Sequence, residues 1–297
     1  MAGDLTGFLM GSFRFGARLA MTMLAYIYED SLEGMLSTIF EAYERREFPD
    51  DVAPQGLFQQ RLGEEVRYVQ TNVEHARRVR AGLIRVCGFR AYEALRAVYL
   101  SDDPRKGSII HAFVRYAMKR GARALDDIAH PDVVDFISLN RSVYNERHHW
   151  QEFLRFRQVE GGLYFAQCNP KANVVPLLMG WFSARFNTQD FMIYDEVHDI
   201  AGVSHDGFWS LVRTDALEIP SDTREERLYS HAWKTFYDAV AVKGRYNPEL
   251  RRQLMPKRFW GNMTEMKKEA PRESASKEGF GIASDAVAVV PNLAAVQ

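Results

Sequence analysis

The sequence predicts an α+β protein, a mixed or antiparallel sheet that contains a β-β-α-β unit and is covered by several helices. Three observations carry this. Strand and helix periodicities alternate in close succession between Trp150 and Asp195, several amphipathic helical segments precede that stretch, and a second pair of short apolar runs follows it. With 297 residues, 46% hydrophobic and 26% charged, the chain can bury one generous core or two small ones.

The N-terminal stretch carries Arg14 and Arg18 but no apolar run followed by a small-residue cleavage site, so a secretory signal is not expected. Residues 1–23 read as a non-structural leader, with Met1, Met21 or Met23 as the working start. Leu24 to Tyr28 is a short apolar strand. Ser31 then caps a helix that turns Leu32, Met35, Leu36, Ile39, Phe40 and Tyr43 to one face. Phe48 to Gly56 is expected to be a loop, because Pro49 and Pro54 block helix on either side of Asp50 and Asp51. An extended element around Val66 to Val69 comes next. Thr71 or Asn72 then caps a helix through Val86 whose outer faces carry Arg77, Arg78, Arg80 and Arg85.

Phe89 to Leu100 and Ile109 to Arg120 are further helices, the second with His111, Arg115, Lys119 and Arg120 off its apolar side and Gly121 at its end. A helix after Pro131 should reach Glu146 and deliver Glu146, Arg147, His148 and His149 to the central unit. There Phe153 to Arg157 and Leu163 to Gln167 read as a hairpin about Gly161 and Gly162. A helix from Lys171 to Phe186 and a strand from Phe191 to Tyr194 complete the unit. Ala201 to Ser204 and Phe208 to Val212 form a second hairpin turned by His205, Asp206 and Gly207. A long helix from Thr223 to about Val242 and a short one opened by Asn247 and Pro248 close the ordered part. The expected organisation is one α+β domain over residues 24–266, helix-rich over 24–146 and sheet-rich over 147–266, with a disordered tail over 267–297.

Cys87 and Cys168 are far apart in apolar settings, which excludes a disulfide framework and a cysteine-held metal or iron-sulfur cluster within this chain. No apolar run approaches the ~20 residues of a membrane span, and a cytoplasmic location is expected. The phosphate-cradling G-x-x-x-x-G-K-[ST], the dinucleotide G-x-G-x-x-G and the G-x-S-x-G nucleophile elbow are all missing. Neither a cofactor nor a metal is expected.

Two groups of residues carry candidate chemistry. In the closing segment, Arg251, Arg252, Lys257 and Arg258 are interleaved with Tyr246 and Trp260, cations for phosphates beside rings for bases, as single-stranded or distorted DNA requires. The alternative is a solvated basic face docked by its aromatics. Arginine rows from Arg77 to Arg96, and Arg115, Lys119, Arg120 and Arg123, could add to one positive groove despite a net charge of -1. The second group joins Glu146, His148 and His149 to Asp195, His198, Asp199, His205 and Asp206. Asp195, His198 and His149 are its candidates for acid-base work, although no H-E-x-x-H spacing occurs and turn residues of this kind often only bond locally.

Several stretches resemble a bacterial family of probable DNA metabolism proteins that carries a domain of unknown function. They are YIYEDSLEGMLSTIFEAY from Tyr26, FLRFR from Phe153, PLLMGWFSARF from Pro176 and the closing segment from Lys243 to Met266. His198 and Gly244 depart from the family's pattern, which favours an arginine at the first and a charged residue at the second. The resemblance implies a DNA-binding accessory protein in repair or modification, partnered by a separate radical S-adenosylmethionine protein; the same domain also occurs fused to a uracil-DNA glycosylase-like domain. Two other functions stay open: a hydrolase or glycosylase-like enzyme acting on a nucleobase or nucleotide, and a protein-interaction module.

Overall fold

The computed structural model describes residues 23–214 and 217–267, so the expected leader up to residue 22 and the tail from residue 268 lie outside the described residues. Its first sheet is parallel. β1 (Leu24–Tyr28) lies at the centre, between β2 (Asp51–Pro54) and β3 (Glu65–Val69). Four of the five β1 residues are buried, as suits an unbroken apolar run in a parallel sheet. α1 (Leu32–Arg45) starts where Ser31 Oγ accepts the Gly34 N–H at 2.9 Å.

β2 corrects the expected loop. The prolines forbid helix there but not an extended edge strand, and Val52 and Ala53 are buried. Ser108 secures that edge, its hydroxyl accepting the Val52 N–H at 2.9 Å and donating to Asp51 at 2.8 Å. α2 (Val73–Cys87), capped by Asn72, α3 (Phe89–Tyr99) and α4 (Lys106–Arg120) cover this sheet. The core they close includes Tyr26, Ile39, Leu83, Leu95, Phe113 and Phe136. His111 belongs to that interior rather than to the polar side of α4. Burial, helped by Arg115, pushes its imidazole down to about 4, so it packs as a neutral ring.

α5 (Pro131–Phe153) runs a full two turns past Glu146, because Val143, Glu146 and Trp150 continue a buried face at helical spacing. Phe153 to Phe156 is therefore not a strand. The first strand of the β-β-α-β unit shrinks to β4 (Arg157–Gln158), followed by β5 (Tyr164–Cys168), α6 (Val175–Arg185) and β6 (Phe191–Asp195). β7 (Ile200–His205) and β8 (Phe208–Arg213) complete a mixed sheet ordered β4-β5-β6-β7-β8, in which β5 and β6 are parallel and the other neighbours antiparallel. Asp206 and Gly207 turn β7 into β8 with φ of 51° and 78°, the pair of positive values a two-residue hairpin needs.

The strands thus form two sheets, not one. α5 serves both cores, giving Val133 and Phe136 to the first and Val143 and Trp150 to the second. α7 (Arg224–Val240) and α8 (Pro248–Leu254) follow, and α7 contains no buried residue. Among the described residues, no helix is long and apolar enough to cross a membrane.

Candidate active site

Parallel strands deliver their carboxyl ends to one rim of a sheet, and ligands collect there. Here the loops after β1, β5 and β6 meet along a cleft of about 560 Å³, within the range of small-molecule sites. The β1–α1 junction contributes Asp30, Ser31 and Glu33. Tyr99, Ser101 and Asp102 come from the end of α3 and the loop after it, and Lys106 is the first residue of α4. Asn173 follows β5, His198 follows β6, and Arg213 ends β8.

Asp195 closes β6 with no exposed surface. Its Oδ1 accepts the backbone N–H groups of Val197 at 2.9 Å and His198 at 3.2 Å, and its Oδ2 lies 2.6 Å from His198 Nδ1. With both carboxylate oxygens occupied as acceptors, Nδ1 is the donor of that contact. The His198 side chain is 24% exposed and lines the cleft.

In the same lining, Tyr99 donates its hydroxyl to Asp30 Oδ1 at 3.0 Å, and Lys106 Nζ lies 3.8 Å from the same oxygen and 4.8 Å from the Tyr99 ring centroid. Burial pushes the Lys106 ammonium down, opposed in part by Asp30 and Asp102. Burial likewise pushes the Tyr99 phenol well up, reinforced by Asp30. Sequence reasoning missed Lys106 because it began α4 at Ile109, three residues too late. Asp30, Tyr99, Asn173 and Arg213 escaped it because no spacing links four separate segments.

The histidine-carboxylate grouping expected from sequence falls into separate places. His149 packs against Phe259 at 5.5 Å and against Phe153, and does not line the cleft. His148 reaches Glu152 at 3.3 Å. At the tip of the second hairpin, His205 lies between Asp190 and Asp206, with three ligand atoms within 4.8 Å of one another; all three residues are exposed, and among the described residues this grouping could hold a cation.

The closing segment also divides. Arg258 keeps about a third of its side chain exposed but is committed to the protein, donating from both terminal nitrogens to the buried Glu146, at 2.8 Å for the first, and lying over Phe259. Arg251 sits over the Trp260 ring at 5.0 Å and the Tyr246 ring at 5.8 Å. Trp260 is half-buried and donates to the Met255 carbonyl. Arg252, Lys257 and Tyr246 are exposed. In the arginine rows, Arg77, Arg96, Arg90, Arg115 and Arg120 meet Glu74, Glu93, Asp126, Asp132 and Asp127 respectively, while Arg78 and Arg80 lie over Phe40 and Tyr92.

A family model described as Domain of unknown function (DUF4130) matches residues 104–265. The chain belongs to this family. The DUF4130 span takes in Lys106, Asn173, Asp195, His198, Arg213 and the closing segment as far as Glu265, whereas Asp30 and Tyr99 precede it. Among solved structures, the pGpG-specific phosphodiesterase PggH from Vibrio cholerae is 10% identical, with a TM-score of 0.29 over 61% of this chain and 81% of that one, a likeness too slight to transfer fold or function. No curated protein matches the chain.

Proposed function

We propose that this DUF4130 protein is an enzyme that activates water against a nucleotide or nucleobase, with His198 as general base and Asp195 as the group that orients it. The observation that supports this is the 2.6 Å contact between His198 Nδ1 and a fully buried carboxylate, made at the edge of a polar cleft. Such a contact fixes the ring, so that its free nitrogen can take a proton from a bound water. Arg213 offsets negative charge that develops on the substrate, and the Asp30, Asp102 and Asn173 oxygens accept from its N–H and O–H groups. A planar, polar molecule with both donor and acceptor edges suits that lining. The test is turnover of a panel of nucleosides, nucleotides and base-modified oligonucleotides by the wild type, His198→Ala and Asp195→Asn. Release of base or phosphate that falls about 10²-fold or more in both variants supports the reading; turnover unchanged in both removes it.

The exposure of Arg252, Lys257 and Tyr246 on one short segment favours a second reading, that the chain holds DNA for a separate radical S-adenosylmethionine enzyme. Fluorescence anisotropy of labelled single- and double-stranded oligonucleotides over a salt series tests it. Arg252→Ala and Lys257→Ala should each lower the salt slope by about one. An unchanged slope in both would exclude these two side chains as phosphate contacts.

A further inference from the structure

The Lys106 amine plays no part in water activation, yet it is placed where a reacting group would be. Its side chain is 11% exposed, at the first residue of α4, and its Nζ faces the cleft between the Asp30 carboxylate and the Tyr99 ring. The position is fixed from behind. A Cβ on Gly107 would stand 2.2 Å from the Val52 carbonyl oxygen, so the start of α4 lies directly on the backbone of β2. Desolvation by burial favours the uncharged amine, and an uncharged amine is a nucleophile toward carbonyl carbon.

We infer that Lys106 is a catalytic nucleophile that condenses with the open-chain aldehyde of a sugar phosphate in the same cleft. The inference deepens the nucleotide reading and rests on it, because water attack that releases a base leaves a sugar whose anomeric carbon opens to an aldehyde. The step balances without any oxidant or reductant. The Nζ lone pair forms a C–N bond to the aldehyde carbon as the carbonyl π pair moves to oxygen. Asp30, within reach of Nζ, carries the two amine protons in turn from nitrogen to that oxygen; the first makes the hydroxyl, and the second lets it leave as water while the nitrogen lone pair forms the C=N bond. Tyr99, hydrogen-bonded to Asp30, is a positioning residue that holds that carboxylate over the amine. Arg213 lines the same cleft and supplies positive charge for the phosphate.

The experiment uses the full chain with 2-deoxyribose 5-phosphate and sodium cyanoborohydride at neutral pH, followed by peptide mass spectrometry. The reagent gives hydride to the imine carbon, nitrogen takes a proton from water, and a stable secondary amine remains. The expected result is one reduced sugar adduct per chain, on the Lys106 peptide, at least about tenfold above any other lysine; it is lost in Lys106→Arg and reduced about tenfold or more in Asp30→Asn. Urea-unfolded wild type should lose the preference for Lys106, a control that does not depend on any variant folding. Labelling of Lys106 no faster than the surface lysines of the folded chain overturns the inference. The nucleoside panel run beside it separates the two claims. Turnover without a Lys106 adduct removes the lysine and keeps His198, whereas a Lys106 adduct without turnover keeps the lysine and removes base release.

Discussion

Glu146 shows how one side chain can look functional in sequence and prove structural in the fold. Set beside three basic residues at a helix end, it suggested acid-base chemistry; in the structure it accepts from Trp150 Nε1, the Lys171 N–H and both terminal nitrogens of Arg258. Burial pushes its carboxyl up, but the bonds from Arg258, Lys171 and Trp150 outweigh this and leave it below the ordinary 4.5. A carboxyl depressed in the folded state adds stability above its unfolded value and loses it as pH falls through the folded one. The urea midpoint of the wild type should therefore decline below pH 4.5, and that of Glu146→Gln should decline less over the same interval. Arg258→Ala leaves a buried carboxylate without its cation. Its expected cost is about 2–3 kcal/mol by urea denaturation, under the ~3–5 of a fully buried pair because Arg258 is about a third exposed. A loss below about 0.5 kcal/mol would return Arg258 to the list of available phosphate contacts.

At the scale of elements, helix starts are legible where a side chain caps them. Ser31, Asn72, Thr223 and Asn247 each accept a backbone N–H at a helix start, and a capping side chain needs only its own next few residues. β2 and the last two turns of α5 were illegible for the opposite reason: a neighbouring strand and a second core decide them. α4 joins fold to site, since Gly107 sets it against β2 and Lys106 precedes it. Gly107→Ala should cost about 1–3 kcal/mol and lower Lys106 labelling, with denaturation and peptide mapping as the readouts. α7 should behave differently. Leu228 and Phe236 are more than half exposed, so Leu228→Ser and Phe236→Ser should leave the urea midpoint nearly unchanged, within about 0.5 kcal/mol.

For the whole molecule, the telling feature is that two sheets, each with its own core, place the carboxyl ends of their parallel strands on one cleft. The α+β class was legible because periodicity is local, but the division into two sheets was not, because it depends on which strands pair. The site followed the same rule. Asp195 and His198 lie three residues apart in one turn and could be named as candidates, whereas Asp30 and Lys106 meet them only through the fold. His149, grouped with them by chemistry alone, belongs to the packing of Phe153 and Phe259.

The measurement closest to the central claim is two-bond proton–nitrogen correlation NMR of the histidine rings, with His198→Gln to assign the signal, before and after addition of nucleosides and nucleoside monophosphates. His198 should carry its proton on Nδ1, lose that preference in Asp195→Asn, and shift when a ligand occupies the cleft. A proton on the other ring nitrogen in the wild type, or a His198 signal that no member of the panel moves, would contradict it.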